Sequence, residues 1–430
     1  MTKFNVSYKQ YLNLNRKLFI ITRQKNGIES ILYLTVLLIF STIFQSNSQV
    51  PEAGGQKSKS YFIPEEYLRE PDEIPVFWIN TVDEVNNFLK QTVRKGKLEI
   101  IGTSAGGRPI YAVFYGHPRQ GTGTTTFSGA LGFRDVRAYR GPDHEKTVYL
   151  GMAAVHGGEF EGIVGMVNLI SVLETGKDLR GEAWPEIPVI AEMIDRMILI
   201  PIMNPDGRDR IPIRMEAYQG TNPKVHEFLN TGGRPDGTPI GWPQIKEFIP
   251  WHDSIGFPGG YTNDAGVNIM HDDFFGKLQP ETQILFDLAE REKPDLIINM
   301  HTGGASHMFS IYPFTENIMQ SVFESYFTFV HTVLTQNGLQ RSYDIEREAD
   351  PKRLPKGTFN LDSALNMHCG ALSICVESPP HGYTVSHSGG ILSIMTPDML
   401  LDTQLLSHQE SMRFLVETGG RSKWTPGLGK

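Results

Sequence analysis

Four short and almost continuous runs of apolar residues lie along the chain, at Val148–Val155, Arg196–Met203, Asp295–Met300 and Leu372–Val376. Runs of this length without alternating polar positions are typical of strands that are covered on both faces. Segments with the apolar spacing of helices separate them, as at Pro280–Glu292. This alternation of strands and helices predicts an α/β sandwich built around one central sheet.

Further elements are predicted on both sides of these runs. Thr81 and Glu84 form a capping box in front of an amphipathic stretch, which indicates a helix. The β-rich runs Leu98–Ile101 and Ile110–Tyr115 are separated by a Gly- and Pro-containing turn, which indicates an antiparallel pair. A last helix is predicted for Thr396–Glu417, where the Thr caps a segment that begins with Pro.

One long interval, Gly220–Gly266, has little periodicity and is rich in Gly, Pro, Asn and Trp. Loops of this length inside a compact domain usually form the rim of a functional site. Trp242, Trp251 and Tyr261 in this interval either line a substrate groove or pack at the rim. The sequence shows no sign of a second domain, so residues 76–420 are assigned to a single domain.

The N-terminal segment differs from the rest of the chain. Six basic residues and one acidic residue precede or flank the apolar run Ile31–Phe44, which small residues follow. This order is typical of a secretory signal, so we assign 1–48 to a signal peptide and 49–75 to a tail and lead-in. The run is shorter than the roughly 20 residues that span a bilayer. We expect a secreted or periplasmic protein without stable membrane association, with an uncleaved N-terminal anchor as the alternative.

Charge and cysteine content narrow the function classes. The formal charge is -8, and the basic N-terminal segment leaves the remainder more acidic still, without a basic stripe for nucleic acid. The two cysteines, Cys369 and Cys375, are interpreted as buried thiols, because six residues of strand would hold them too far apart for a disulfide.

The sharpest local motif is His156-Gly157-Gly158-Glu159, placed between a predicted strand and a predicted helix. A catalytic zinc ion takes imidazole nitrogens and carboxylate oxygens as ligands, and two glycines allow two such side chains to converge. The spacing alone is weak, because a surface His followed by a helix-capping Glu has the same pattern.

Two more polar residues close predicted central strands. His301 ends one of them and Glu377 ends another, so both are expected at the same edge of the sheet as His156. His301 is either a third metal ligand or a satisfied core histidine. Burying Glu377 without a partner would cost several kcal/mol, roughly, whereas a place beside a metal site would give it the role of general base.

In these motifs the sequence resembles the zinc carboxypeptidase family. The hairpin segment from Leu98 to Tyr111 and Asn204-Pro205-Asp206-Gly207 also look like blocks of that family, in the same order, and the resemblance covers roughly Val76 to Glu417. It implies a three-layer sandwich with a mixed, mostly parallel sheet of about eight strands. It further implies a metallopeptidase that hydrolyses a peptide or cell-wall peptide with water activated by one zinc ion per chain.

The resemblance also implies residue roles. His156, Glu159 and His301 would be the zinc ligands, and Glu377 would be the general base and later the proton donor. The family polarises the scissile carbonyl with an arginine after Asn-Pro-Asp-Gly. Three arginines follow that motif here, and Arg214 is favoured over Arg208 and Arg210.

The chain departs from the family pattern where the substrate carboxylate would be held. The family's Asn-Arg pair is replaced by Met270-His271, neither of which can act as a bidentate guanidinium. Asn268 stands where the family has an Asp that orients the first zinc histidine, and its carbonyl oxygen can accept the same hydrogen bond. No match to the family's mobile substrate-binding Tyr is found, and Tyr343 and Tyr383 are possible substitutes. Exopeptidase specificity is therefore not assigned.

Two alternative functions fit the same sequence. They are a non-catalytic peptide- or glycopeptide-binding protein on the same fold, and an amidase for substrates without a free α-carboxylate. Gly102-Thr103-Ser104-Ala105-Gly106 matches the serine-hydrolase pattern, but a strand rather than a helix follows it. Buried cysteines are poor nucleophiles. The sequence predicts neither the side-chain preference nor the oligomeric state.

Overall fold

A computed structural model describes residues 61–217, 224–241, 244–246, 255–302, 308–310, 317–339, 359–382, 384–386 and 392–425. The assigned signal peptide, residues 49–60 of the lead-in, and the candidate residues Trp242, Trp251, Tyr343 and Tyr383 lie outside these ranges. Among the described residues, no helix combines the length and the apolar character needed to cross a membrane.

The centre of the fold is a mixed sheet. The described strands are β1 (Lys97–Thr103), β2 (Pro109–Gly116), β3 (Val148–Ala153), β4 (Arg196–Ile200), β5 (Leu296–Thr302), β6 (Met308–Ser310), β7 (Leu372–Ser378), β8 (Thr384–Ser386) and β9 (Leu392–Ile394). In the described part of the chain the sheet has seven strands in the order β1-β2-β4-β3-β5-β7-β6, close to the eight expected. The four inner strands β4, β3, β5 and β7 run parallel, and antiparallel pairings flank them. The strands β8 and β9 form a separate hairpin.

Helices cover both faces of the sheet, so the predicted three-layer sandwich is confirmed. Successive strand residues point to opposite faces: Tyr149 and Ile298 enter one apolar core, whereas Leu150 and Ile297 enter the other. The described helices are α1 (Val82–Thr92), α2 (Phe127–Gly132), α3 (Arg137–Arg140), α4 (Phe160–Thr175), α5 (Glu186–Glu192), α6 (Pro205–Asp209), α7 (Lys224–Thr231), α8 (Pro280–Glu292), α9 (Asn317–Gln336), α10 (Leu361–Cys369), α11 (Pro397–Thr418) and α12 (Arg421–Trp424). Short 3-10 turns occur at Glu65–Leu68, Gln244–Lys246 and Ile269–His271.

Several predicted helix ends are confirmed by their caps. The Thr81 hydroxyl accepts the Glu84 backbone N–H at 3.2 Å, and the Glu84 carboxylate accepts the Thr81 backbone N–H at 3.2 Å. Thr396 caps α11, and α8 begins at Pro280 as expected. These ends follow from local hydrogen bonding, which sequence patterns record well.

Strand ends differ from the prediction in a way that matters for function. The run Val148–Val155 stops being a strand after Ala153, because Ala154 adopts a left-handed φ of 52° that turns the chain out of the sheet. At the same carboxyl edge, β5 continues through His301 and β7 continues through Glu377. These two residues are therefore strand residues, held by the sheet register instead of a loop.

The two cysteines are buried thiols as predicted, but Cys369 lies in a helix and only Cys375 lies in the strand. Cys369 ends α10 and its thiol donates to the Leu365 carbonyl at 3.2 Å, while Cys375 lies within β7. Both are buried and neither forms a disulfide. Burial raises the pKa of the Cys369 thiol to about 11, so it is not poised as a nucleophile.

Asp206 joins the β1–β2 turn to the start of α6. Its buried carboxylate accepts the Gly106 N–H at 2.8 Å, Arg108 Nη1 at 2.9 Å and the Asp264 N–H at 3.0 Å. The Ser104 hydroxyl also donates to it, and Ser104 Oγ accepts the Arg108 N–H at 3.0 Å. Ser104 thus serves the turn, in agreement with the weak case for a serine nucleophile.

Candidate active site

Three side chains that can hold a metal ion converge at the carboxyl edge of the sheet. They are His156 and Glu159, in the segment between β3 and α4, and His301 on β5. One Glu159 oxygen lies 2.8 Å from His156 Nδ1 and the other lies 2.8 Å from His301 Nδ1. All three residues are buried, and their ligand atoms lie within 4.8 Å of one another. Two imidazole nitrogens and one carboxylate are the donor set of a catalytic zinc site, so the residues fit the ion.

The two glycines of this segment are required by close backbone contacts. A Cβ on Gly157 would lie 2.0 Å from the Arg208 backbone nitrogen, and one on Gly158 would lie 2.8 Å from Asn230 Cα. Gly157 N–H also donates to the Gly260 carbonyl at 2.7 Å. Glu159 occupies the position before α4 but makes no capping hydrogen bond, so its carboxylate is turned toward the histidines.

His156, Glu159 and His301, together called the metal group, are held in place by residues from later in the chain. His156 Nε2 lies 3.2 Å from Asn268 Oδ1, the contact expected for this position. Glu159 accepts Asn230 Nδ2 at 3.2 Å and the Thr302 N–H at 3.2 Å. These bonds hold the ligand side chains in the orientation in which their donor atoms converge.

An aromatic ring completes the support of His156. Tyr261 stacks on the imidazole with ring centroids 3.6 Å apart and an angle of 4° between the planes. Burial, followed by the charges of Glu159 and Glu377, raises the pKa of the Tyr261 hydroxyl well above its usual value. Sequence patterns suggested that Tyr261 either lines a substrate groove or packs at the rim, and they gave no signal for Asn230.

The charges of the metal group are strongly coupled. Burial alone would raise the pKa of Glu159, but the two neighbouring imidazoles hold it well below its usual range. For His301, burial is outweighed by Glu159 and the pKa rises to about 9. Burial dominates at His156 and lowers its pKa. A carboxylate that stays ionised between two histidines is suited to a dication.

Glu377 lies beside this group because of strand register. His301 on β5 is paired with Glu377 on β7. Although part of the Glu377 side chain is exposed, desolvation raises its pKa to about 7; His301 opposes that rise and Glu159 supports it. The Cys375 thiol donates to the Glu377 carboxylate at 3.7 Å. A carboxylate with a pKa near neutrality next to a metal group can act as a base.

Comparison with known proteins agrees with this arrangement. The family model described as zinc carboxypeptidase matches residues 84–347, more than half of the chain. The chain belongs to the zinc carboxypeptidase family. The matched segment contains His156, Glu159 and His301, and it ends before Glu377. No curated protein matches the chain.

Three solved structures to which this family member is similar are named as carboxypeptidases. A putative carboxypeptidase A from Shewanella denitrificans is 13% identical with a TM-score of 0.49, over 79% of this chain and 69% of that one. A metallo-carboxypeptidase from Pseudomonas aeruginosa, in complex with (2-guanidinoethylmercapto)succinic acid, is 14% identical with a TM-score of 0.48, over 78% and 69%. Carboxypeptidase A from Helicoverpa armigera is 13% identical with a TM-score of 0.44, over 95% and 87%.

The three arginines that follow Asn-Pro-Asp-Gly in this family member bind protein acceptors. Arg208 is buried, and its guanidinium donates to the Asn80 side chain at 2.7 Å and to the Ile213 carbonyl at 2.8 Å. Arg210 binds Asp264 at 2.8 Å.

Arg214, the favoured candidate, is partly exposed. Its Nε lies 2.8 Å from a Glu84 oxygen, and its Nη2 donates to the Trp78 carbonyl at 3.2 Å. Neither acceptor belongs to the metal group, so the contacts give Arg214 no link to it. Its role in polarising the carbonyl stays a prediction.

The altered clamp position lies next to a polar cluster below the catalytic edge. Met270 is buried, and its sulfur lies 3.8 Å from Asn299 Nδ2. Asn299 also donates to Asp362 at 3.1 Å, and Ser373 donates to the other Asp362 oxygen at 2.6 Å. Burial raises the pKa of Asp362. Met270 thus meets an amide side chain at this position.

Proposed function

We propose that this zinc carboxypeptidase family member is a metallopeptidase that hydrolyses a peptide or related amide bond. One observation carries the proposal: the register of β5 and β7 puts Glu377 beside His301, and His301 shares Glu159 with His156. Ligands and base therefore meet at one edge of the sheet, as hydrolysis of an amide requires.

The residues of the site have separate proposed roles in zinc binding and proton transfer. His156, Glu159 and His301 would hold one zinc ion, which when bound supplies activation of water and polarisation of the carbonyl. Glu377 would accept a proton from the attacking water and then deliver it to the leaving nitrogen. Asn268, Asn230 and Thr302 keep the ligand side chains in place through the hydrogen bonds described above.

The substrate is proposed from the altered clamp. Met270 cannot donate a hydrogen bond to a carboxylate, so tight selection of a free chain end at this position is not expected. We propose a peptide or cell-wall peptide, or an amide without a free α-carboxylate. From the N-terminal pattern we also propose that the protein is secreted or periplasmic.

A binding protein without catalysis is the competing candidate. Such a protein would use the metal group for binding. It would not need the neighbouring Glu377 carboxylate, whose pKa is raised to about 7. The position of Glu377 therefore favours the hydrolase.

The test combines metal content with turnover. We expect about one zinc per wild-type chain, lost in His156→Ala and His301→Ala and retained in His408→Ala, a buried histidine bound to Tyr149. Glu377→Gln should keep zinc and lose turnover by roughly 10²–10⁴-fold. Blocked and unblocked peptides should be compared as substrates. A wild type without zinc, or a Glu377→Gln variant with full turnover, would overturn the proposal.

A further inference from the structure

We propose that the hydroxyl of Tyr261 is a catalytic hydrogen-bond donor, which binds the carbonyl oxygen of the substrate as negative charge develops on it. This inference rests on the proposed hydrolase function and deepens it. It gives a role to a residue that the metal group and Glu377 leave unused. The proton stays on the tyrosine, and only a hydrogen bond forms.

Amide hydrolysis benefits from a hydrogen-bond donor at the carbonyl oxygen. Hydrolysis of an amide places negative charge on the carbonyl oxygen, and preorganised donors stabilise that charge. Arg208 and Arg210 already bind protein acceptors through several nitrogens, and Arg214 binds Glu84 and a carbonyl. The side chain of Met270 has no polar hydrogen. These contacts leave a place beside the ion for a further donor from another part of the site.

Tyr261 lies against the candidate metal ligands. Its ring lies flat on His156 at 3.6 Å, and the imidazoles of His156 and His301 are 4.9 Å apart. The ring that carries the hydroxyl therefore contacts one candidate ligand, which in turn contacts the other. Within the described ranges, no acceptor takes a hydrogen bond from this hydroxyl. It remains available to a substrate.

Tyr261 is held rigidly in this place. Backbone N–H groups of Gly260 and Tyr261 donate to the Asn230 carbonyl at 2.8 and 3.0 Å. The Gly260 carbonyl accepts the Gly157 N–H at 2.7 Å, so the chain before Tyr261 is bonded to the metal-binding segment itself. With 9% of its surface exposed, Tyr261 is held by packing as well. A donor fixed in this way loses little freedom when the charge develops.

The experiment compares Tyr261→Phe with the wild type, both as full mature chains loaded with zinc. The Phe ring preserves the stacking, so zinc content and thermal stability should not change. We expect kcat to fall roughly a hundredfold with little change in KM, the size seen when one such donor is removed. Tyr326→Phe is the matched control, because Tyr326 is also buried but bonds to Ser411 at 2.6 Å in the helical layer. It should retain full turnover.

A binding measurement makes the inference independent of turnover. The probe is a phosphinic dipeptide, in which a tetrahedral phosphinate replaces the scissile amide, titrated by calorimetry. Tyr261→Phe should weaken its binding at least tenfold and leave the affinity for the corresponding amine product unchanged. Equal phosphinate affinity in Tyr261→Phe and wild type would overturn the inference, as would loss of phosphinate binding in Arg214→Gln with none in Tyr261→Phe.

The outcomes separate this inference from the proposed function. A wild type that binds the phosphinate through Tyr261 but hydrolyses no peptide refutes the hydrolase and supports the donor. A wild type that hydrolyses peptides while Tyr261→Phe keeps full kcat supports the hydrolase and refutes the donor. If the wild type binds zinc but neither hydrolyses peptides nor binds the phosphinate, both fall. Loss of zinc in Tyr261→Phe would show a purely structural role and also overturn the donor.

Discussion

His301 and Glu377 are registered partners on two adjacent parallel strands, so a metal-ligand candidate and a base candidate are held side by side by the sheet. Backbone hydrogen bonds fix this spacing, and neither residue depends on a loop for its position. The relationship ties the charge state of Glu377 to the charges around His301.

The pH dependence of activity follows from this neighbourhood. Burial raises the pKa of Glu377 to about 7, and a bound cation would lower it by favouring the carboxylate. A base works when deprotonated, so kcat/KM should fall as the pH drops through that pKa, and the acidic limb should lie below pH 7 in the zinc-loaded enzyme. A pH profile of hydrolysis checks this. An acidic limb that persists unchanged in the residual activity of Glu377→Gln would assign the titration to another group.

Replacing Asn268 by Asp should strengthen zinc binding. Asn268 Oδ1 contacts His156 Nε2, whereas its buried Nδ2 has no hydrogen-bond partner among the residues that the structure describes. A carboxylate would remove that unsatisfied donor and make the imidazole a stronger ligand, with an expected gain of about tenfold in zinc affinity. Competition with a chromogenic chelator measures it, and Asn268→Ala should shift the affinity in the opposite direction. Identical affinities in all three proteins would remove Asn268 from the ligand-orienting role.

His226 should make stability depend on pH. Despite burial, Glu216 raises the pKa of His226 to about 9, through its charge and through a contact of 3.2 Å. The stabilisation is complete below pH 6.5 and is lost as the pH rises from 6.5 to 9. The wild type should therefore exceed His226→Gln in free energy of unfolding by an amount that shrinks across this window, on the order of 2 kcal/mol. Denaturant titrations at several pH values measure the difference.

His408 provides the control for that experiment. Burial lowers the pKa of His408 to about 4, so it stays neutral over the whole window. The free-energy difference between wild type and His408→Gln should therefore be constant from pH 6.5 to 9. A His226→Gln difference that is equally flat would contradict the assigned charge on His226.

Asp206 should be a strong determinant of stability. Its buried carboxylate accepts hydrogen bonds from Ser104, Gly106, Arg108 and the Asp264 backbone. In Asp206→Asn an amide N–H would face at least one of these donors. We therefore expect the free energy of unfolding to fall by about 2–4 kcal/mol.

Asp209 offers the matched comparison. It binds the same Arg108 at 2.8 Å, but half of its side chain is exposed. Asp209→Asn should cost less than about 1 kcal/mol. Chemical denaturation of both variants measures the two values, and similar losses would mean that burial of Asp206 contributes nothing special.

The parts of the fold that sequence patterns predicted are those with local causes. Four apolar runs correspond to β3, β4, β5 and β7, and the capping box at Thr81 marks a helix start. The convergence of His156, Glu159 and His301 was expected because parallel strands expose their carboxyl ends at one edge. Strand ends were missed where a single backbone angle decides, as at Ala154.

The parts that escaped prediction depend on tertiary contacts. Asn230 and Tyr261 come from an interval without periodicity, and α7 within it was not predicted. Nothing in their local sequence marks one as a partner of Glu159 or the other as a partner of His156. The acceptors of Arg208, Arg210 and Arg214 could not be predicted either, because most of them are backbone carbonyls or side chains that are remote in sequence.

The distance along the chain between the metal ligands has a consequence for folding. Glu159 and its hydrogen-bond donor Thr302 are separated by 143 residues, although the two halves of the group lie in contact. Closing so long a segment costs chain entropy that only the docked sheet can offset. The complete ligand set can therefore form only after β3 and β5 have paired, and uptake of the ion should report a late event in the acquisition of native structure.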